Sequence, residues 1–140
     1  MVFTGRDEDS LESTKKELAE NSSEVFRECC DVSRVDVVES LVNRVRKQHG
    51  SVDVLVNVAG VNRRQRAETY LPEDYDFVMD INLKGAFFLS IEVGRVMLEK
   101  GCGIQINIDS LNSYAPVKGM APYAMSKFGM VGMTLSLIHI

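Results

Sequence analysis

The chain has 140 residues, of which 45% are hydrophobic and 26% are charged, and its formal net charge is −4. This composition predicts one globular domain and excludes a disordered or collagen-like chain. Apolar runs fall short of the roughly 20 residues that cross a bilayer, and the acidity argues against nucleic acid as the main partner. Charged residues stand where a signal peptide would be apolar, so we expect a cytoplasmic protein with no membrane partner.

The cysteines and histidines do not predict a metal site. Cys29 and Cys30 are adjacent, Cys102 is distant, and His49 and His139 lie far from all three in sequence. None of these spacings is typical of zinc ligands, so we expect free thiols and no metal.

The N-terminal third predicts two strands, each followed by a helix. Val2–Thr4 is a short β-type run, Ser10–Ala19 has helical character, and Val25–Cys30 is a second candidate strand. Ser33, a favoured N-cap residue, precedes a helix that Gly50 ends. The apolar stripe of this helix consists of Val38, Leu41, Val42 and Val45.

The rest of the chain predicts two more strands and three helices. Val52–Val58 is β-branched and almost continuously apolar, which is typical of a parallel strand covered on both faces. Pro72–Asp80 predicts a short helix, and Ile81–Leu98 predicts a long apolar helix that should be buried on most sides. Ile104–Ile108 alternates as a strand, and Pro122 begins a final helix. This order predicts an α/β fold with a doubly wound parallel sheet.

Ligands of such sheets bind at the carboxyl ends of the strands, and a serine, a tyrosine and a lysine follow the last strand. Ser110 lies at its end, Tyr123 comes thirteen residues later, and Lys127 lies one helical turn beyond Tyr123. A free tyrosine has a pKa of about 10, but a nearby ammonium favours the phenolate and so promotes proton exchange with a substrate oxygen. Ser110 can hydrogen-bond the same oxygen. We reject a second such pair, Tyr114 and Lys118, because a proline and a glycine interrupt that segment.

Five motifs in this order resemble the classical short-chain dehydrogenases/reductases. They are Asp31-Val32, Asn57-Val-Ala-Gly60, Asp80-Ile-Asn82-Leu-Lys-Gly85, Ser110 and Tyr123-Ala-Met-Ser-Lys127. The resemblance covers residues 1–134 and implies an incomplete Rossmann-like domain with strands 2 to 5 of the family's sheet. It also implies hydride transfer between a nicotinamide cofactor and a secondary alcohol or ketone.

The resemblance implies a role for each matching residue. Tyr123 would be the general acid/base, Lys127 would favour its phenolate and bind the nicotinamide ribose, and Ser110 would orient the substrate oxygen. Asn82 would hold a water in a proton relay with Lys127. The other residues expected along the cofactor are Asp31, Val32, Asn57, Ala59 and Gly60.

Two groups of arginines bear on the choice of ligand. Arg6 follows the first strand, where an arginine accommodates the 2′-phosphate of NADP, so we expect NADP or NAD with NADP favoured. Arg63, Arg64 and Arg66 follow Gly60 and could bind a carboxylate, although they could also be solvated loop charges. This segment is similar to gluconate 5-dehydrogenases and 2-deoxygluconate 3-dehydrogenases, which implies a sugar acid or polyol as substrate.

Three departures from the family's pattern affect the prediction. Val58 replaces a second asparagine, Asp109 replaces a small residue, and the glycine-rich turn that binds the pyrophosphate occurs nowhere. We therefore expect a truncated chain of two half-sheets that neither folds stably nor turns over substrate alone. Residues 135–140 resemble a translated library adaptor and are expected to be a non-native tail, the alternative being a genuine helix end.

The sequence also allows two other functions and predicts one protein partner. A nucleotide-sensing domain of the same fold would have no need of Ser110, Tyr123 and Lys127, and a flavodoxin-like domain would not explain their spacing. Helices 81–98 and 122–134 resemble the family's subunit-packing helices, which implies a homodimer or homotetramer. Alternatively, these helices pack only on their own sheet.

Overall fold

The structure, a computed structural model, describes residues 1–20 and 24–138. The strands are β1 (Val2–Gly5), β2 (Phe26–Cys29), β3 (Val54–Asn57) and β4 (Ile104–Asn107). The α-helices are α1 (Glu8–Ala19), α2 (Val35–His49), α3 (Pro72–Met79), α4 (Ala86–Lys100) and α5 (Ala121–Leu137). Short 3₁₀ turns cover Ala67–Thr69 and Leu111–Ser113, and a π-helical turn covers Asp80–Gly85. The predicted tail begins within α5, and its last residues, His139 and Ile140, lie outside the described part.

The described strands form two parallel pairs, β1 with β2 and β3 with β4. In the second pair Val54 lies opposite Ile104 and Asn57 lies opposite Asn107. Parallel neighbours need a crossover connection, and α1 supplies one while α3 and α4 supply the other. The predicted α/β class and the incomplete parallel sheet are therefore confirmed.

Helices α2 and α4 pack against each other and connect the two pairs of strands. The apolar stripe predicted for α2 lies in this core, where Val38 and Leu41 are buried and Val45 is partly buried. Fully burying one such side chain stabilises a fold by about 1.5–3 kcal/mol. The buried members of the core are Cys30, Val38, Leu41, Val42, Leu89, Val93, Val96 and Met97.

One face of the β3–β4 pair is open, which corrects the prediction that strand 52–58 is covered on both faces. Val54 is 49% exposed and Ile104 is 59% exposed, although both side chains are apolar. Alternate residues point to opposite faces of a strand, and Gln105 points toward α4, where its amide donates to the Ser90 carbonyl. The helix layer therefore covers only the face that Gln105 occupies.

Two helix predictions also need correction. The segment predicted as one helix over 81–98 begins within the π turn and becomes α-helical at Ala86, and its Phe87 and Leu98 are exposed. Helix α2 begins at Val35 rather than directly after Ser33. The Asp31 carboxylate accepts hydrogen bonds from the Ser33 backbone N–H and hydroxyl, which forms a turn before the helix.

The described residues contain neither a membrane-spanning helix nor a cluster of metal ligands. No helix there has the length and apolarity needed to cross a membrane. No three His, Cys, Asp or Glu side chains in the described ranges converge as metal ligands would. The cysteines are free thiols, with Cys30 buried and the other two exposed.

Candidate active site

A cavity of about 180 Å³ lies where the carboxyl ends of β1, β2 and β3 meet. Burial raises the pKa of the Cys30 thiol in its wall, so this side chain is a neutral part of the lining at neutral pH. Five residues predicted along the cofactor lie here, namely Arg6, Asp31, Val32, Ala59 and Gly60. The remaining lining residues are Thr4, Gly5, Cys30, Val61 and Ile81.

Lys127 connects the last helix to the last strand. Its side chain is buried, with the residue only 4% exposed, and Nζ donates a hydrogen bond of 2.6 Å to the Ile108 carbonyl. The same Nζ lies 5.9 Å from the centroid of the Tyr123 ring. A buried ammonium is stable only with partners, and these contacts hold it between α5 and the segment that leads to Ser110.

Asn82 lies in the π turn and is completely buried. Its Oδ1 accepts from the Val61 backbone N–H at 2.7 Å, and its Nδ2 donates to the Val61 carbonyl at 2.9 Å and to Ser126 Oγ at 3.1 Å. π turns are rare and occur frequently at functional sites. The amide thus joins the loop after β3 to α5, and both of its N–H groups donate to protein acceptors.

Gly85, the last residue of the π turn, permits a close backbone approach. A Cβ at this position would lie 2.5 Å from the carbonyl oxygen of Val32 and 3.1 Å from that of Asp80. Any larger residue would push the π turn away from Val32, which lines the cavity. Sequence reasoning included Gly85 in a motif but did not detect this contact.

Ser110 forms the start of a tight turn. Its Oγ accepts hydrogen bonds from the Asn112 backbone N–H at 3.2 Å and from Asn112 Nδ2 at 3.4 Å. Asp109, the unusual residue before it, accepts a hydrogen bond from the hydroxyl of buried Ser113. The Asp109 carboxylate therefore closes the turn that carries Ser110, because it binds the Ser113 side chain on the other side of that turn.

Asn57 and Arg6 differ in how they relate to the cavity. Asn57 is buried and donates to Ser90 Oγ at 2.9 Å and Asn107 Oδ1 at 2.8 Å, and it is not part of the cavity lining. Arg6 lines the cavity, keeps an exposed guanidinium and lies 3.9 Å from Asp31. Arg6 is therefore available to a ligand at the edge of the sheet, whereas Asn57 stabilises the β3–β4 pair.

The three arginines after Gly60 have different surroundings. The Arg63 guanidinium lies 3.6 Å from Asp74 and 4.6 Å from the centroid of the Phe77 ring, and Arg66 pairs with a neighbouring glutamate. Arg64 is exposed, and no carboxylate of the described residues lies within ion-pair distance of it. Its stem runs beside Gly119, in the loop between Ser110 and Tyr123. Arg64 is thus the arginine most available to an anion.

Sequence reasoning missed three polar residues around the site. Ser126 Oγ accepts a hydrogen bond from the Asn82 amide, and the Asn112 backbone N–H donates one to Ser110 Oγ. The Tyr70 hydroxyl lies against the carbonyls of Arg63 and Gly119, which connects the loop after Gly60 to the loop between Ser110 and Tyr123. Ser126 lies inside the Tyr-x-x-x-Lys motif and could have been noticed there, whereas the other two depend on loop conformations without a sequence signal.

Comparison with known sequences gives consistent matches. A family profile described as short chain dehydrogenase matches residues 1–139. The gluconate 5-dehydrogenase of Gluconobacter oxydans (strain 621H) is 31% identical over 134 residues, which are 96% of this chain and 52% of that protein. The chain spans about half the length of the curated relatives it matches.

Solved structures with the same arrangement include two that hold a cofactor. A gluconate 5-dehydrogenase from Burkholderia cenocepacia J2315, in complex with NADP and tartrate, has a TM-score of 0.92 at 28% identity, over 99% of this chain and 54% of that one. An actinorhodin polyketide ketoreductase variant with NADPH has a TM-score of 0.93 at 38% identity, over 97% of this chain and 53% of that one. The strands and helices described above therefore have the same relative positions in both proteins.

Proposed function

Because the chain belongs to the short-chain dehydrogenase family, we propose that it carries the catalytic residues of an oxidoreductase acting on a secondary alcohol or ketone. The reaction is hydride transfer to or from NADP or NAD. The observation that carries this proposal is the hydrogen bond from Lys127 Nζ to the Ile108 carbonyl, since it joins the helix of Tyr123 to the strand end of Ser110. A nucleotide sensor, the alternative, would have no need of Ser110, Tyr123 and Lys127 together.

The residues present fit a nicotinamide dinucleotide at two places. A Cβ at Gly60 would lie 3.9 Å from Asn82 Oδ1 and 4.0 Å from Lys127 Nζ, so the absence of a side chain leaves a cradle beside both groups. Lys127 would hold the nicotinamide ribose at this cradle, while Arg6 and Asp31 would hold the adenosine end. When bound, the cofactor supplies or accepts the hydride. The exposed Arg6 guanidinium favours NADP.

In the reductive direction, the chain's own residues supply the proton and the orientation. Tyr123 gives its phenolic proton to the oxygen of the ketone as that oxygen gains negative charge. The Lys127 ammonium, near the Tyr123 ring, stabilises the phenolate left behind. Ser110 donates a hydrogen bond to the same oxygen and stabilises its developing charge. In the oxidative direction Tyr123 takes the proton from the alcohol.

Asn82 contributes to this proton path through its backbone. Both side-chain N–H groups already donate to the Val61 carbonyl and Ser126 Oγ, so the amide nitrogen is not the group that holds a relay water. The π turn departs from regular α-helical hydrogen bonding at this residue, which favours the Asn82 backbone carbonyl as the acceptor for a water that also reaches Lys127.

The substrate class that we propose is a sugar acid or polyol. The support is the exposed Arg64 beside the loop between Ser110 and Tyr123, because a guanidinium binds a carboxylate with two parallel hydrogen bonds. Tartrate, an acid of this kind, is present in the Burkholderia structure. The higher identity of 38% to a polyketide ketoreductase favours a ketone of another class as the second candidate.

We further propose that residues 1–140 do not turn over substrate alone and that the active protein is a dimer or tetramer. No glycine-rich turn for the pyrophosphate occurs in the sequence, which weakens cofactor binding. Met125 and Phe128 on α5 and Phe87 on α4 are large, apolar and exposed. A second copy of the chain would cover these side chains through α4 and α5.

The test is an assay of nicotinamide absorbance on two proteins. One is the chain alone. The other, the hybrid enzyme, carries the matched residues of this chain in place of the corresponding segment of the Gluconobacter gluconate 5-dehydrogenase. We expect activity in the hybrid enzyme with sugar acids, polyols or oxoacyl ketones, and none in the chain alone.

Tyr123→Phe should lower kcat of the hybrid enzyme by about 10²–10⁴-fold, the usual contribution of a positioned acid or base. Tyr114→Phe is the matched control, because Tyr114 belongs to the rejected Tyr-x-x-x-Lys pair and is exposed, and it should leave the rate unchanged. Full activity in Tyr123→Phe would refute the proposed function.

A further inference from the structure

We infer that Asn112 is a positioning residue that directs the hydroxyl proton of Ser110 toward the substrate oxygen. A serine hydroxyl has one proton to donate and two lone pairs that accept. Among the described residues, Ser110 Oγ makes two hydrogen bonds, and it accepts both. They come from Asn112, through its backbone N–H and its side-chain Nδ2. The group left over is the proton, so Ser110 acts as a donor to whatever lies in the site.

The orientation of the Asn112 amide follows from its other partner. Asn112 Oδ1 accepts a hydrogen bond of 3.0 Å from the Val117 backbone N–H. A backbone N–H can only donate, so the oxygen of the amide must face Val117 and the nitrogen must face Ser110. One half-buried side chain therefore closes the loop before α5 and sets the direction of the hydroxyl.

The turn around Asn112 is anchored on the opposite side as well. Asp109 accepts from the hydroxyl of Ser113, which is buried, and the Ser113 backbone N–H donates to the Ser110 carbonyl at 3.0 Å. The 3₁₀ turn Leu111–Ser113 packs against α5, which carries Tyr123. These contacts link the turn that carries Asn112 to the helix that carries Tyr123.

A donated proton is what the proposed reaction needs from Ser110. An oxygen that gains negative charge during ketone reduction is stabilised by donors aimed at it. A hydroxyl free to rotate would spend part of its time pointing its proton at other acceptors. This inference rests on the proposed function, because it concerns the same reacting oxygen, and the experiment separates the two.

The experiment reverses the polarity of residue 112 without changing its shape. In Asn112→Asp, one carboxylate oxygen still accepts from Val117, while the other replaces the donating nitrogen and attracts the Ser110 proton. We expect kcat/KM of the hybrid enzyme to fall by about 10–100-fold, somewhat less than the loss of a whole oxyanion donor, because the backbone N–H of residue 112 remains. The KM for the cofactor should stay the same.

Two further variants distinguish positioning from damage to the fold. In the Ser110→Ala background there is no hydroxyl to direct, so adding Asn112→Asp should cause no further loss. Asn112→Ala removes the misplaced acceptor together with the bond to Val117 and should retain more activity than Asn112→Asp. Unchanged activity in Asn112→Asp, or an equal loss in the Ser110→Ala background, would overturn the inference while leaving the proposed function intact. Full activity in Ser110→Ala would overturn both.

Discussion

The absence of a side chain at Gly85 lets the backbone of the π turn approach the backbone of Val32 closely. In Gly85→Ala the new methyl group would meet the Val32 carbonyl at 2.5 Å, so either the π turn or the Val32 loop must move. We expect a loss of about 1–3 kcal/mol in the free energy of unfolding of the hybrid enzyme, the usual cost of overpacking. Urea denaturation measures it.

Gly132→Ala is the matched control for this prediction. Gly132 lies in α5, and a Cβ there would meet nothing within 4 Å. Alanine is the better helix former, so this variant should be stabilised by up to about 1 kcal/mol. Shifts of the same sign and size in the two variants would contradict the packing argument.

Arg64 supplies a test of the substrate class. Arg64→Ala should raise the KM for sugar acids about tenfold, which corresponds to ~1.4 kcal/mol, because one charge-assisted contact to the carboxylate is lost. The KM for neutral polyols should not change. Arg66→Ala is the control, since Arg66 pairs with Glu68 and should affect neither substrate. A parallel change for acids and polyols would remove Arg64 from the substrate site.

At the residue scale, spacing predicted that Tyr123 and Lys127 share a helix, but it did not predict the surroundings of the candidate catalytic residues. Tyr123 and Lys127 lie on the same helix, where the i,i+4 rule alone brings them to one face. Contacts of Asn112 and Gly85 depend on loop and π-turn geometry, which no periodic pattern encodes. Arg63 and Arg64 are adjacent residues of the same type, so the sequence does not distinguish them. Only the fold shows that Asp74 lies beside Arg63.

Helix α1 begins with a capping carboxylate whose titration can be followed. Hydrogen bonds from Ser10 keep the pKa of Asp7 below its ordinary value. A carboxyl with a lower pKa in the folded state stabilises the fold above its unfolded pKa of about 3.9, and this contribution is lost as the pH falls through the folded value. Asp7→Asn keeps a capping oxygen but does not titrate.

The wild-type hybrid enzyme should therefore be more stable than Asp7→Asn at neutral pH, and the difference should shrink by about pH 3. The midpoint of urea unfolding at both pH values measures this difference. Asp9→Asn, in the first turn but outside the cap, is the control for a general effect of charge near the helix end. A difference that persists unchanged in acid would show that Asp7 does not act through its ionised form.

At the element scale, alternation and periodicity predicted the four strands and five α-helices of the described residues, and two of the boundary errors lie at irregular backbone. Ile81–Leu98 has apolar residues on every side, a pattern that does not distinguish a π turn from an α-helix. Serine is favoured at the N-cap of a helix. The backbone N–H and hydroxyl of Ser33 instead donate to the Asp31 carboxylate, which forms a turn before the helix begins. Local hydrogen-bond competition of this kind is decided by geometry rather than composition.

The whole molecule combines a well-packed helix pair with an open sheet. Sequence order predicted the parallel sheet, and the absence of the glycine-rich turn led to the expectation of two half-sheets. The exposure of β3 and β4 on one face could not be predicted from the strands themselves. Their apolar composition is suited to a covered strand, while the described helices pack only on the other face.

We expect this open face to make the chain self-associate when it is expressed alone, because exposed apolar strands beside unpaired edges favour pairing with other chains. Val54 and Ile104 lie opposite each other and both point to solvent. Val54→Lys combined with Ile104→Glu places opposite charges on facing positions, which keeps the pair compatible with the sheet. Light scattering at increasing concentration should show less association for this double variant. Leu71→Lys, which places a charge at an exposed apolar position outside the strands and outside α4 and α5, is the control. If Leu71→Lys reduces association as much as the double variant, the sheet face is not its cause.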